Sequence, residues 1–270
     1  MKKSLFTIVC TLFALFSFGQ SSSEYGLSMG FSGYLGDLQS PNYTYQDPGF
    51  LTGFFAKYNL TSGLSGKAFL NFTRIHASDM NSSDQGHIDR NLSFRSNIME
   101  FGCIGEFNVL PFDPFHPENK KYRRYFQCTP FFTFGLNVFH FNPQTYYNGQ
   151  WIRLNPLHTE GQNYNLTQLA IPFGMGIKYQ PTPRIVCSFE LGFRKTFTDY
   201  LDDVSTRYID PSILTAQNGA LSAELSYRGD EILNTTSSLP EVNSPRGNPD
   251  NKDWYLINTF SVSYKFYHTK

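Results

Sequence analysis

After its first twenty residues the chain has no run of 18 consecutive apolar residues, which excludes a transmembrane helix from its body. Net charge is missing too. The 22 Lys and Arg balance 22 Asp and Glu, so neither the basic footprint of a nucleic-acid binder nor a polybasic membrane-surface segment is present. Cysteine is scarce: Cys10 lies in an N-terminal apolar run, and Cys103, Cys128 and Cys187 are widely spaced. The three beyond that run, an odd number at such spacing, give neither a disulfide framework nor a zinc pattern, and by strand parity each falls on an apolar face as a small hydrophobe.

Aromatic residues, in contrast, are abundant. They make up 17% of the chain, with 27 Phe and 17 Tyr, while a mean hydropathy of -0.35 is too polar for a helical membrane bundle. A transmembrane β-barrel combines both properties, because only every second strand residue has to be apolar. The N-terminus reads as a cleaved secretory signal over residues 1–19. Lys2 and Lys3 precede an apolar run from Leu5 to Phe18, and Ser17 and Gly19 stand three residues and one residue before a cut at Gln20. Residues 20–270 then form a single barrel domain.

Alternation is clearest between Leu169 and Phe197. Leu169, Ile171, Phe173, Met175, Ile177 and Tyr179 share one face, opposite Gln168, Ala170, Pro172, Gly174, Gly176 and Lys178. After a Gln180 to Pro183 turn the pattern resumes, with Ile185, Cys187, Phe189, Leu191 and Phe193 opposite Val186, Ser188, Glu190, Gly192 and Arg194. Strands of about 11 residues, rising roughly 3.3 Å each and tilted near 45°, match the roughly 25 Å apolar band of an outer-membrane barrel. The same reading finds strands from Tyr25 to Leu35, up to Leu60, from Leu64 to Ile75, from Leu92 to Asn108, from Phe126 to Phe141 and from Trp254 onward. The fold class is therefore all-β: an eight-stranded antiparallel up-and-down transmembrane barrel with long extracellular loops. A parity change near Asn97 and Ile98 predicts a bulge in the fourth strand.

Loops after strands one, three, five and seven have about 13, 16, 24 and 56 residues, against about 3, 17 and 4 after two, four and six. Barrels put long loops outside and short turns in the periplasm, so both termini are periplasmic. Tyr25, Tyr58, Tyr179, Tyr264, Phe193 and Trp254, near strand ends, form interfacial girdles. Eight strands leave room only for side chains, and the inward-facing charges are Glu100, Glu106 and Glu190 with Lys57, Lys67, Lys178, Arg194 and Lys265. Charges in such a place must be paired, which reads as an internal brace in preference to an ion path.

Nothing in the pattern assigns a catalytic, cofactor-binding or metal site. His76, His87, His116, His140 and His158 are scattered, without a local partner at a recognisable spacing. Asp199, Asp202 and Asp203 could offer oxygens to calcium, but they lack the glycine and glutamate of an EF-hand loop. The expected arrangement is an ordered turn over the barrel mouth with its acids facing water. The aromatics Tyr43, Tyr45, Tyr146, Tyr147 and Trp151 either pack the outer loops together or form a partner surface. The basic run Lys120, Lys121, Arg123 and Arg124 sits in an inner connection of about 17 residues, more than reversing two strands requires. It is a candidate docking site for a periplasmic protein, with lipid headgroup contact as the alternative.

Several blocks together carry a resemblance: EYGLSMGFSGYLGD (24–37), FHFNP (139–143), TEGQ (159–162), IPFGMGIKY (171–179), ELGFRKTFTDYLDDVSTRYID (190–210) and RGNPDNKDWY (246–255). The chain resembles the PorG-like outer-membrane proteins of Bacteroidetes over nearly its whole length beyond the signal. That resemblance implies a non-enzymatic outer-membrane component of the type IX protein secretion machinery. It also implies association with periplasmic ring proteins, a lipoprotein and its partner, alongside outer-membrane lipids and no nucleic acid. The alternatives are a free-standing small barrel that binds or adheres through its extracellular loops, and a narrow pore.

Overall fold

The computed structural model describes residues 22–38, 48–115, 126–232 and 239–268. The signal segment and the basic run Lys120, Lys121, Arg123 and Arg124 lie outside the described residues. Ten strands form one sheet: β1 (Ser22–Leu35), β2 (Gly49–Asn59), β3 (Leu64–Ser78), β4 (Ser93–Asn108), β5 (Cys128–His140), β6 (Pro143–Tyr147), β7 (Gln150–Arg153), β8 (Thr167–Tyr179), β9 (Ile185–Thr196) and β10 (Trp254–Tyr267). Eight of them close into a ring in the order β3, β2, β1, β10, β9, β8, β5, β4, and the β3–β4 pairing completes it. All pairings are antiparallel, and β1 runs beside β10 from Ser22↔Tyr267 to Leu35↔Trp254. Closure removes the two long sheet edges that an open arrangement would leave unpaired.

The remaining strands, β6 and β7, are a hairpin added to the upper end of β4 through Arg95↔Gln144 and Ser96↔Pro143. Its tip is Asn148-Gly149, both with positive φ (47° and 82°), the backbone that a two-residue hairpin turn demands. Short helices lie over the same end: α1 (Gln85–Arg90), α2 (Pro211–Asn218) and α3 (Ala220–Ser226). Asp84 caps α1 by accepting from Gly86 N at 2.7 Å, and Asp210 caps α2 by accepting from Ser212 N at 2.8 Å.

The expected bulge at Asn97 and Ile98 is absent. Pairing of β3 with β4 runs without interruption from Leu64↔Phe107 to Ser78↔Ser93. Phe94 and Ile98 simply point inward and are 3% and 2% exposed. The parity reading failed there because it assumed that apolar side chains on a barrel face out. At this end they meet a hydrophobic core inside the barrel mouth, where Phe94 and Ile98 join Leu51, Ile75, Phe139, Phe141, Leu201, Val204 and Leu225. The stretch from Thr198 to Asp253, which shows no pattern in sequence, supplies part of that core.

Lower down, the lumen holds a second, smaller apolar cluster of Phe55, Phe69 and Ile104. Inner-face glycines make room for such rings. A Cβ on Gly102 would stand 2.7 Å from Phe69 Cζ, and one on Gly176 would stand 2.5 Å from Phe131 Cζ. The small residues of the inner face therefore complement aromatic side chains from neighbouring strands. Among the described residues no helix is long and apolar enough to cross a membrane.

Candidate functional site

Inside the ring the inward charges meet in tiers. In the upper tier Glu100 accepts from Arg194 Nε at 3.1 Å and Nη2 at 3.3 Å, from Asn71 and Asn137 at 2.7 Å each, and from the Tyr255 hydroxyl at 2.7 Å. In the middle, Lys67 donates to Glu190 at 2.8 Å, and Thr133 donates to the same carboxylate at 3.1 Å. Below this, Lys57 bridges Glu24 at 2.9 Å and Glu106 at 3.3 Å, and Lys178 also donates to Glu106. At the floor Lys265 pairs with Asp113 at 2.8 Å.

All eight lumen charges named from sequence line this interior, and two acids join them. Glu24 was missed because the sequence reading begins the first strand at Tyr25, whereas β1 begins at Ser22. Asp113 was missed because it belongs to the connection after β4 and carries no strand periodicity. Tyr255, fully buried, donates to Glu100, a role that strand periodicity does not signal. Rings complete the packing: Arg194 lies over Phe69 at 5.6 Å and Lys178 over Phe112 at 4.8 Å. Each of these lumen charges is thus paired inside the barrel, as buried charges must be.

A second network ties the long outer loops into the barrel mouth. Glu160 accepts from Ser205 N, Thr206 N and Thr206 Oγ1 at 2.9, 2.9 and 2.7 Å, and from Arg246 at 2.9 Å. Arg246 also donates to the carbonyls of Asp203 at 2.6 Å and Ser226 at 3.0 Å. Arg90 grips both oxygens of Asp79 at 2.7 Å and reaches the carbonyls of Asp37 and Arg246. Tyr34 donates to Asp202 at 2.6 Å and lies 3.1 Å from Asp253.

The expectation that Asp199, Asp202 and Asp203 face water is wrong. They are 2%, 1% and 1% exposed, because the segment folds down into the mouth instead of lying over it. They also point apart: Asp199 accepts from Ser205 at 2.7 Å, Asp202 from Tyr34 and Val204 N, and Asp203 from Thr159 at 2.5 Å and Tyr164 at 2.6 Å. Among the described residues no group of three or more His, Cys, Asp or Glu side chains could hold a metal ion. Burial pushes the carboxyls of Asp199 and Asp203 up to about 6, and it raises Asp202 and Asp253 well above the usual carboxylate range.

Tyr146 and Trp151 pair across the β6–β7 hairpin at 5.3 Å, with Arg95 stacked 3.4 Å from the Trp151 ring. Tyr147 turns to Glu224 of α3 at 2.9 Å, so this hairpin packs against the loop helices. Cys103, Cys128 and Cys187 are unpaired and face outward.

Comparison with solved structures finds similar folds at low identity. The attachment invasion locus protein Ail of Yersinia pestis matches at 8% identity over 92% of this chain and 100% of its own, with a TM-score of 0.43. OprG, an outer membrane protein of Pseudomonas aeruginosa, matches at 10% identity over 93% and 99%, with a TM-score of 0.42. Neisserial surface protein A matches at 8% identity over 92% and 98%, with a TM-score of 0.40. Comparison with curated proteins gives no match. A family model described as a domain of unknown function, DUF6089, matches residues 2–227, and the chain belongs to that family.

Proposed function

We propose that the protein is an outer-membrane barrel serving as a non-enzymatic structural and docking subunit of the type IX protein secretion machinery. The observation that carries the membrane part is the outer wall. Each of the eight ring strands turns large apolar side chains outward with nothing over them, from Leu27 and Phe31 on β1 through Phe101, Phe134 and Leu136 to Phe260 on β10. A water-soluble monomer does not leave such a continuous belt uncovered. Acyl chains cover it at no cost, and the aromatic pairs Tyr25–Phe266 and Tyr264–Phe266 stand at the end where both termini emerge, as an interfacial girdle requires.

The secretion role rests on the sequence blocks that resemble PorG-like proteins. Three of these blocks, TEGQ, DYLDDVST and RGNP, meet in space through Glu160, Asp203 and Arg246. A barrel with a braced interior and a fixed cap suits a scaffold that other subunits grip. The docking element proposed for periplasmic ring proteins is the basic run Lys120, Lys121, Arg123 and Arg124.

Pull-down from detergent-solubilised outer membranes tests both parts. Expected is recovery of a periplasmic lipoprotein and its partner with the wild-type barrel, and their loss when the four basic residues are replaced by Glu. Deletion of the gene is expected to stop export of secreted cargo. Intact export together with altered surface binding would favour the adhesive alternative.

A further inference from the structure

On the outer wall, at the level where the apolar belt ends on the long-loop side, a groove of about 730 Å³ is lined by Phe50, Phe72, Arg74, Asn97, Met99 and His140, among others. Its floor is apolar and its upper edge is cationic. Register sets this out: Phe72 faces Met99 and Met99 faces His140, while one step higher Arg74 faces Asn97 and two steps higher His76 faces Arg95. Arg153 follows across the added hairpin, opposite Gln144, which itself faces Arg95.

Arg74, Arg95 and Arg153 are held by neutral partners. Arg74 donates to Asn97 Oδ1 at 2.8 Å, Arg95 to Gln144 Oε1 at 3.2 and 3.1 Å, and Arg153 to Asn142 Oδ1 at 3.2 Å. Among the described residues none of the three takes part in an ion pair. The buried cations of the lumen and the cap, by contrast, are matched with carboxylates: Lys57, Lys67, Lys178, Arg194 and Lys265 in the first, Arg90 and Arg246 in the second. Three guanidiniums fixed in place on one edge, with no acid opposite among the described residues, suit an anionic group from outside the chain.

We propose that this groove binds one phosphorylated lipid of the leaflet on the long-loop side, with its phosphates on Arg74 and Arg95 and its acyl chains along Phe50, Phe72 and Met99. The proposal rests on the membrane reading above. A free phosphate would use the guanidiniums and leave the apolar floor uncovered, whereas a lipid satisfies both halves. The floor alone does not select, because any acyl chain covers it equally well. Selection therefore lies in the headgroup, where each cation beside an anionic lipid is worth about fivefold in affinity.

The membrane reading is checked first and separately, by flotation of the refolded barrel with phosphatidylcholine vesicles that contain no charged lipid. Native mass spectrometry of the detergent-solubilised barrel then follows one-to-one adducts with diphosphoryl lipid A, with its dephosphorylated form, and with inorganic phosphate as competitor. Expected is an adduct with the diphosphoryl lipid, weakened about fivefold by Arg74→Gln and about twentyfold by Arg74→Gln with Arg95→Gln. It should be unchanged by Arg184→Gln, which removes an equal charge beside Tyr264 at the other end. Heat-modifiable migration on gels verifies that each variant folds, and Arg74→Gln alone suffices should the second change loosen the hairpin. Equal adducts with the dephosphorylated lipid, full displacement by inorganic phosphate, or an equal loss in Arg184→Gln would overturn the proposal.

Discussion

Arg246 donates to Glu160 at 2.9 Å across 86 residues of sequence, and both side chains are almost wholly buried. The pair sits where three loop segments cross. Glu160 also holds the backbone of Ser205 and Thr206, and Arg246 holds the carbonyls of Asp203 and Ser226. Outer loops that could have been loose over a barrel are thus fastened at one point.

Arg246→Ala leaves the Glu160 carboxylate buried without its cation, a change worth about 3–5 kcal/mol. The loss is local, since the ring of strands does not depend on this contact. Limited proteolysis of the folded barrel should show cleavage within residues 198–232 at least a hundredfold faster, with the heat-modifiable gel shift retained. An unchanged cleavage rate would show that the cap is held elsewhere.

The cap should also respond to pH. Tyr34 has a single hydroxyl proton and lies against both Asp202 and Asp253, so the pair is best satisfied when one carboxyl is protonated. Burial raises both, and it moves Asp199 and Asp203 to about 6. Groups whose folded pKa lies above the unfolded one, near 3.8, stabilise fully below that unfolded value. The contribution is lost as pH rises through the folded one. Hydrogen exchange of residues 198–205, corrected for intrinsic rate, is therefore predicted to show stronger protection at pH 5 than at pH 8. Asp202→Asn should reduce the difference, and equal protection at the two pH values would refute the assignment.

Within the lumen, Glu100 and Arg194 test whether the charges brace the barrel. Arg194→Met leaves Glu100 in place with its three neutral donors, and about 3–5 kcal/mol is expected to be lost. Glu100→Gln combined with Arg194→Met should cost clearly less than the sum of the single changes. The midpoint of urea unfolding, read by the gel shift, measures both. Additive losses would mean that the two side chains do not act as a pair.

Gly176→Val inserts a side chain where the Phe131 ring and the Phe189 carbonyl already stand. Overpacking of this kind costs about 1–3 kcal/mol, measured by the same unfolding midpoint. Gly66, whose added Cβ would meet nothing within 4 Å, is the matched outward control and should tolerate alanine.

Much of this was legible from alternation alone. The β8–β9 hairpin, the closing pair of first and last strands and the eight lumen charges follow from a period of two and from barrel geometry. The mouth was not legible. The parity change near Asn97 and Ile98 read as a bulge because nothing local distinguishes an apolar residue facing acyl chains from one facing an internal core. Asp199, Asp202 and Asp203 read as solvated because their partners, Ser205, Tyr34 and Thr159, are specified by loop packing and not by spacing. Glu160 carried a signal only as part of TEGQ, a block whose meaning appears once Ser205, Thr206 and Arg246 are seen around it.

The central claim is that the apolar wall meets lipid, and Cys103 reports on it directly. Its thiol is free, outward-facing and exposed on the bare barrel, in the row between Phe101 and Gly105. Reaction of the refolded barrel with a membrane-impermeant maleimide, in phosphatidylcholine vesicles and then after urea unfolding, is read at Cys103 by mass spectrometry. The account predicts no modification in vesicles and complete modification once unfolded. Modification of the folded protein at the rate of a free thiol in water would contradict it.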